Sequence, residues 1–304
     1  MTGLTATAKF GWLGMALWMA IAAATSSGFA YGSRPAKHAA RGVVLTISAD
    51  KREIEVSCDE IPGYMAAMAM PFTVADARSL DGVKPGVAIN FTMIVKGKST
   101  YAQDIHPTTT RSFESEPMEA GSLTALNSIL NPAAAQREVA IGEKVPDFAL
   151  SDQAGNEVRL SQLAGKVVAL TFGYSRCPNP NYCYRLSNNL ERVERRFHSR
   201  GGKDLVLLTV AIDPQHDQGA VLAEYANSFH ANVADWHFLT GSLTDVKQVA
   251  DLFGMKFWDS EGLLTHSLHT VIIDRQGRLA TNLEGNQFTA KQLGDLVQVE
   301  LNRR

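Results

Sequence analysis

The stretch "GYSRCPNPNYCYRL", residues 173–186, holds two of the three cysteines in the chain. Cys177 and Cys183 are separated by five residues, two of them prolines. Two thiols this close can be a structural clip, a redox pair or part of a metal site. Each use needs a different compartment and different neighbours. The third cysteine, Cys58, stands in "SCDEIPGYMAAMAMPF", just before Met65, Met68 and Met70. Met68 and Met70 are two residues apart, so on a strand their thioethers share one face.

The compartment follows from the start of the chain. Lys9 precedes "FGWLGMALWMAIAAA", an uncharged apolar run, and small residues follow it as far as "SSGFA". Residues 1–30 therefore read as a signal peptide with cleavage after Ala30, or as an uncleaved N-terminal anchor. No cysteine follows the run, which argues against a lipoprotein, and no other segment is apolar for long enough to span a bilayer. The expected location is exported: periplasmic, or anchored and facing the periplasm. Export means an oxidising environment, but three cysteines are too few for a disulfide scaffold. Net charge is −2 over 304 residues, so there is no basic field to attract nucleic acid.

Two kinds of element must position these residues. Over residues 42–106, "VVLTIS", "EIEVS", "PFTV", "AINFTMIV" and "YAQDI" are β-rich runs separated by turn residues. Five short strands in that span predict a small all-β barrel of OB-like type. Residues 31–41, small and basic, are expected to be disordered. Residues 107–138 carry no apolar period and read as a linker.

From residue 139 to 304 the pattern becomes α/β. "FAL" and "VRL" flank a turn, and "SQLAG" is a short helical turn. "KVVALTFGY" and "DLVLLTVAID" are continuous apolar runs, which fits strands buried on both faces. Leu186, Leu190, Val193 and Phe197 mark one face of a helix over 182–198. Further helices are expected over 217–230 and 242–253. "HTVIIDRQGRLATNL" reads as two strands around a turn, and "TAKQLGDLVQVEL" as a closing helix. This order predicts a thioredoxin-like domain. Cys177 then lies just past a buried strand and Cys183 in the first turn of the next helix, where a helix N-terminus favours thiolate.

Residues 139–304 resemble the SCO/SenC copper proteins. The likeness rests on "KVVALTFGYSRCPNPNYC", "VAIDPQHD" and "THSLHTVIIDRQGRL", in which a histidine precedes "D-x-x-G" by eight residues. The resemblance implies one copper held by Cys177, Cys183 and His266. It also implies delivery to a client such as a copper subunit of cytochrome c oxidase. His269, three residues on, is expected to be a support or surface residue. Asp213, which ends its strand, is either a support to the site or a turn-capping residue. The usual spacing of the family's cysteines is CxxxC, so the two additional residues are a departure.

Residues 42–106 resemble the CusF-type copper-binding domain, in which a histidine and an MxM pair bind Cu(I) and an aromatic covers the metal. Here Met68 and Met70 match the pair, Met65 stands at the aromatic position and Cys58 at the histidine position. Thioethers and thiolates are soft donors that select Cu(I), whereas two thiolates with an imidazole suit Cu(I) or Cu(II). The competing reading makes the methionines barrel core and Cys58 a small buried hydrophobe.

Together these point to a copper metallochaperone for oxidase assembly. One rival is a thiol–disulfide oxidoreductase, with Cys177 attacking and Cys183 resolving. Another is copper sequestration for resistance, with no client. A peroxidase-like reading is weaker, because Tyr174-Ser175-Arg176-Cys177 lacks the threonine of the usual motif.

Overall fold

The structure, a computed structural model, describes residues 35–108, 138–260 and 263–303. The expected signal peptide and nearly all of the expected linker lie outside the described residues.

The first five strands close on themselves. They are β1 (Ala36–Ile47), β2 (Glu53–Cys58), β3 (Met68–Val74), β4 (Ala88–Lys96) and β5 (Ser99–Pro107), in barrel order β1-β2-β3-β5-β4. Period-two alternation explains the interior. Ile54, Val56 and Cys58 of β2 point in, with Phe72 and Val74 of β3 and Ile89, Phe91 and Met93 of β4. Closure leaves no open edge strand. Strand β1 pairs with β4 over Ala36–Val43 and with β2 over Gly42–Ile47, the latter interrupted by a register shift between Val44 and Thr46.

One expectation fails here. Residues 36–41 are not disordered: they form the first half of β1 and pair residue by residue with β4, from Ala36↔Val95 to Arg41↔Asn90. The segment "AKHAAR" has little apolar character, but its backbone completes the barrel.

The rest is a seven-stranded sheet in the order β14-β13-β8-β9-β10-β6-β7. Its strands are β6 (Ala149–Asp152), β7 (Glu157–Arg159), β8 (Val167–Gly173), β9 (Leu205–Ala211), β10 (Trp236–Thr240), β13 (His269–Ile273) and β14 (Leu279–Glu284). A separate hairpin, β11 (Phe257–Ser260) and β12 (Leu263–His266), precedes β13. The helices are α1 (Arg185–Arg196), α2 (Gly219–Ser228), α3 (Leu243–Leu252) and α4 (Ala290–Asn302). Every residue of β8 and β9 is buried, as their unbroken apolar runs require. The cluster on one face of the sheet takes in α1, α2 and α4; the cluster on the other takes in α3. This is the thioredoxin-like α/β layer. The sequence reading omitted β10 and the β11–β12 hairpin, whose runs of four or five residues carry too few periods to register.

Helix α1 begins later than expected. Residues Pro180–Tyr184 form a wide π-type turn, and Tyr182 inside it has non-helical backbone angles of φ −103° and ψ −106°. The long spacing between the cysteines is absorbed there, ahead of the regular helix.

The barrel and the sheet are packed together: residues Pro35–Arg304 form one compact unit. Val43 and Leu45 point out of the barrel and join the core cluster that holds Leu293, Leu296 and Val297 of α4. Ala69 packs against the edge of that cluster. The Ser57 hydroxyl donates to Asp295 Oδ2 at 2.7 Å. Gln292 Nε2 donates to Asp59 Oδ1 at 2.8 Å and to the Ser57 carbonyl at 3.3 Å. Gly86, at φ +89°, lies so close to β14 that a side chain would collide with Thr281.

Candidate metal centre

Three elements converge at one end of the sheet. Strand β8 ends at Gly173, and a turn carries the chain to Cys177, whose N–H bonds the Tyr174 carbonyl at 3.3 Å. Two acids beyond β9 hold that turn. Asp217 accepts from the Ser175 N–H at 3.0 Å and from the Ser175 hydroxyl, and Asp213 accepts from Arg176 Nε at 3.0 Å. Asp213 therefore steadies the residue next to Cys177 through an ion pair. Cys183 sits in the π-type turn, fully buried, and His266 ends β12 at 6% exposure.

Cys177 Sγ, Cys183 Sγ and a ring nitrogen of His266 all lie within 4.8 Å of one another. The imidazole is oriented. His266 Nδ1 is 2.8 Å from the Ser267 carbonyl, an acceptor, so Nδ1 carries the proton. Nε2 is thereby turned toward the cysteines and faces Cys183 Sγ at 3.4 Å. The rings of Tyr174 and Tyr182 stand edge-on to the imidazole, with centroids 5.8 and 6.4 Å away. Tyr174 is itself fixed by its hydroxyl, which donates to the Leu264 carbonyl at 3.2 Å.

The two sulphurs differ electrostatically. The Cys183 thiol, hydrogen-bonded to Cys177, pulls the Cys177 pKa well below the ordinary thiol value, and His266 adds to the effect. The same bond, with burial, pushes Cys183 up. The first proton of the pair is therefore lost more readily from Cys177 than from Cys183. A soft metal would replace the Cys183 proton and find two sulphurs and an imidazole already gathered.

His269 lies elsewhere. It is buried on β13, and its Nδ1 is 3.0 Å from Asn282 Oδ1, whose amide bonds the Phe253 carbonyl at 2.9 Å. It is a support within the core, not at the surface.

The barrel presents a second set of sulphurs. Cys58 of β2 lies directly opposite Met68 of β3, and Val56 opposite Met70, on inward-facing rungs. Met65 follows in the loop, bridged to Ile61, and packs with Met70 against the barrel core. Met68 is at the rim, 48% exposed, whereas Cys58 is 2% exposed. The Cys58 thiol lies 3.7 Å from the Val56 carbonyl, and burial pushes its pKa up to about 12. Met93 is fully buried in the barrel core.

Sequence reasoning missed the tyrosines around His266 and the stacking of His38 on Tyr64, whose rings are 3.7 Å apart. His38 was hidden because its segment read as disordered. The tyrosines were visible as letters, but nothing in their spacing points them at a histidine 84 residues further on from Tyr182.

Residues 137–299 match the family model described as SCO1/SenC. The chain belongs to the SCO1/SenC family. Residues 37–107 match the model described as copper binding periplasmic protein CusF. An SCO2-like protein of Rickettsia typhi is 29% identical over 147 residues, covering 46% of this chain and 68% of its own length. The mitochondrial SCO2 homologue of Bos taurus is 29% identical over 171 residues, covering 54% of this chain and 61% of its own. A crystal structure of yeast Sco1 with copper bound shares 27% identity at a TM-score of 0.46, covering 53% of this chain and 90% of that one. Within the SCO1/SenC match fall Cys177, Cys183 and His266, and within the CusF match fall Cys58, Met65, Met68 and Met70.

Proposed function

We propose that this SCO1/SenC protein is an exported copper metallochaperone with two metal sites, copper being its cargo. Cys177, Cys183 and His266 hold one ion. Cys58, Met65, Met68 and Met70 hold Cu(I) in the barrel. The client is a copper-containing respiratory oxidase subunit. The observation that carries the reading is the convergence of two sulphurs and an oriented imidazole within 4.8 Å, with Nε2 facing Cys183 Sγ. That donor set suits copper. The periplasm fits the apolar N-terminal run and the CusF match. Among the described residues no helix is long and apolar enough to cross a membrane.

The test is the copper content of the reduced, full-length chain. Two ions per chain support both sites, and one ion with Cys177 and Cys183 still open to alkylation would strike out the Cys177–Cys183–His266 site. No copper at all would overturn the reading.

A second reading draws on the unequal sulphurs. A Cys177 thiol pulled down beside a Cys183 thiol pushed up is the arrangement of an attacking and a resolving thiol. Turnover in a disulfide reductase assay, undiminished in His266→Ala, would favour that reading over copper delivery.

A further inference from the structure

The three strands that carry or adjoin the barrel's sulphurs are also the strands docked on α4. In β2 and β3 the rungs alternate. Cys58 pairs with Met68 on the inward face, and the adjacent rung, Ser57 with Ala69, faces out. Val43 of β1 pairs with Ser57 and extends the same outward rung. That rung is the docking surface. Val43 lies in the core cluster of the sheet, Ala69 packs on it, and Ser57 is fully buried with its hydroxyl on Asp295.

Asp295 is buried and closely held. It accepts from Ser57, from Arg196 Nη1 at 2.8 Å and from Lys291 Nζ at 2.6 Å. Gln292 caps α4, its Oε1 accepting from the Thr289 N–H at 2.8 Å, while its amide reaches Asp59 beside Cys58. The first turn of α4 thus grips the residues on either side of Cys58.

The chain just before α4 grips the other site. Asn286 donates to the Asn181 carbonyl at 2.7 Å, and its own carbonyl accepts from Arg185 Nε at 2.8 Å. Asn181 and Arg185 bracket Cys183. One short segment, Asn286 to Asp295, therefore holds both ligand-bearing loops.

We propose that this docked interface is a conduit: copper captured by the barrel passes to Cys177, Cys183 and His266 within the same chain, while the two halves remain docked. This rests on the two-site copper reading above. The metal stays Cu(I) and no electron changes hands. Bonds from copper to the barrel sulphurs break, and bonds to the two cysteine sulphurs and His266 Nε2 form. Cys177 and Cys183 give up the protons they carry as their bonds to copper form, one of which Cys58 takes back as it returns to a buried thiol, the rest going to solvent. The docked geometry fixes the relative orientation of the two ligand-bearing loops, which a tether alone does not.

The test uses the full chain. The barrel is loaded with one equivalent of Cu(I) while Cys177 and Cys183 are held as a disulfide. A phosphine reductant then opens the disulfide. Arrival is followed as protection of Cys177 and Cys183 from alkylation, read by mass spectrometry at quenched times. Ala69→Glu places a charge on the outward rung and leaves the barrel interior untouched. Transfer in this variant is expected to be slower by about tenfold or more, with copper capacity at each site unchanged. Ser57→Ala combined with Gln292→Ala tests the same surface by deletion and decides the matter if the glutamate variant does not fold. Transfer at the parent rate in a folded, undocked variant overturns the conduit but leaves both sites standing. An oxidised parent chain that takes up no Cu(I) overturns the barrel site itself, and the conduit with it.

Discussion

The two sulphur sites of this chain are built in opposite ways. The thioredoxin-like site draws each donor from a different element and fixes each one. A turn held by Asp213 and Asp217 sets Cys177, the π-type turn sets Cys183, and the Ser267 carbonyl sets His266. The barrel site spreads its sulphurs over two adjacent strands and a loop, from a fully enclosed Cys58 to a half-exposed Met68. If both bind copper as proposed, the converged, enclosed site would hold it in one geometry, and the graded site with its rim thioether would accept and release it. Histidine orientation matters only in the first, and sulphur softness alone carries the second.

The comparison can be broken most sharply at the histidines. His266→Ala removes the only nitrogen donor of the converged site and is expected to cost about a hundredfold in copper affinity there. The barrel should be unaffected. His269→Ala should leave copper binding nearly unchanged and lower thermal stability instead, because its bond is to Asn282 within the core. Competition with a copper chelator ranks the two variants, and the reverse order would show that the wrong histidine has been assigned.

A smaller effect tests the barrel. Cys58→Ser is expected to lower Cu(I) affinity there by about tenfold, because a hydroxyl is a harder donor than sulphur. Met93→Leu, a volume-conserving change at a buried position, should alter it by less than about twofold. Equal binding by Cys58→Ser and the parent would reduce Cys58 to packing and leave the site to its methionines. Cys58→His should restore a working site.

The smallest effect concerns the docking surface that joins the two. Burial alone would raise the Asp295 pKa, but hydrogen bonds from Lys291, Ser57 and Arg196 outweigh it and hold the carboxyl below its ordinary value of 3.8. A depressed carboxyl stabilises the folded chain fully above that ordinary value. The contribution is lost as pH falls through the lower, folded-state value. As pH falls below 3.8 the parent should lose more stability than Asp295→Asn, read from thermal unfolding across the pH series. Parallel loss in the two chains would mean that the ion cluster does not steady the interface.

What could be read from the sequence was local. The buried strands, the cysteine pair at the end of one of them, and the methionines two apart are all patterns within a few residues. His266 lies 83 residues from Cys183, and only likeness to a family placed it at the site. The first half of β1 was invisible because its pairing with β4 is made by backbone, and "AKHAAR" has no apolar alternation to show it. The docking of the barrel was invisible for a stronger reason. Ser57 and Asp295 are 238 residues apart, and neither stands in a pattern that asks for the other. Even the cysteine spacing was legible only as a count; its consequence, a π-type turn that brings Tyr182 beside His266, belongs to the three-dimensional structure.

The central claim is that Cys177 and Cys183 hold copper together with His266. The most direct measurement compares the copper content of the full chain reduced and after oxidation of that pair to a disulfide. A disulfide leaves no thiolate to bind metal, so the account predicts that one ion is lost and the barrel's ion is kept. Equal copper in the oxidised and reduced chains would contradict it.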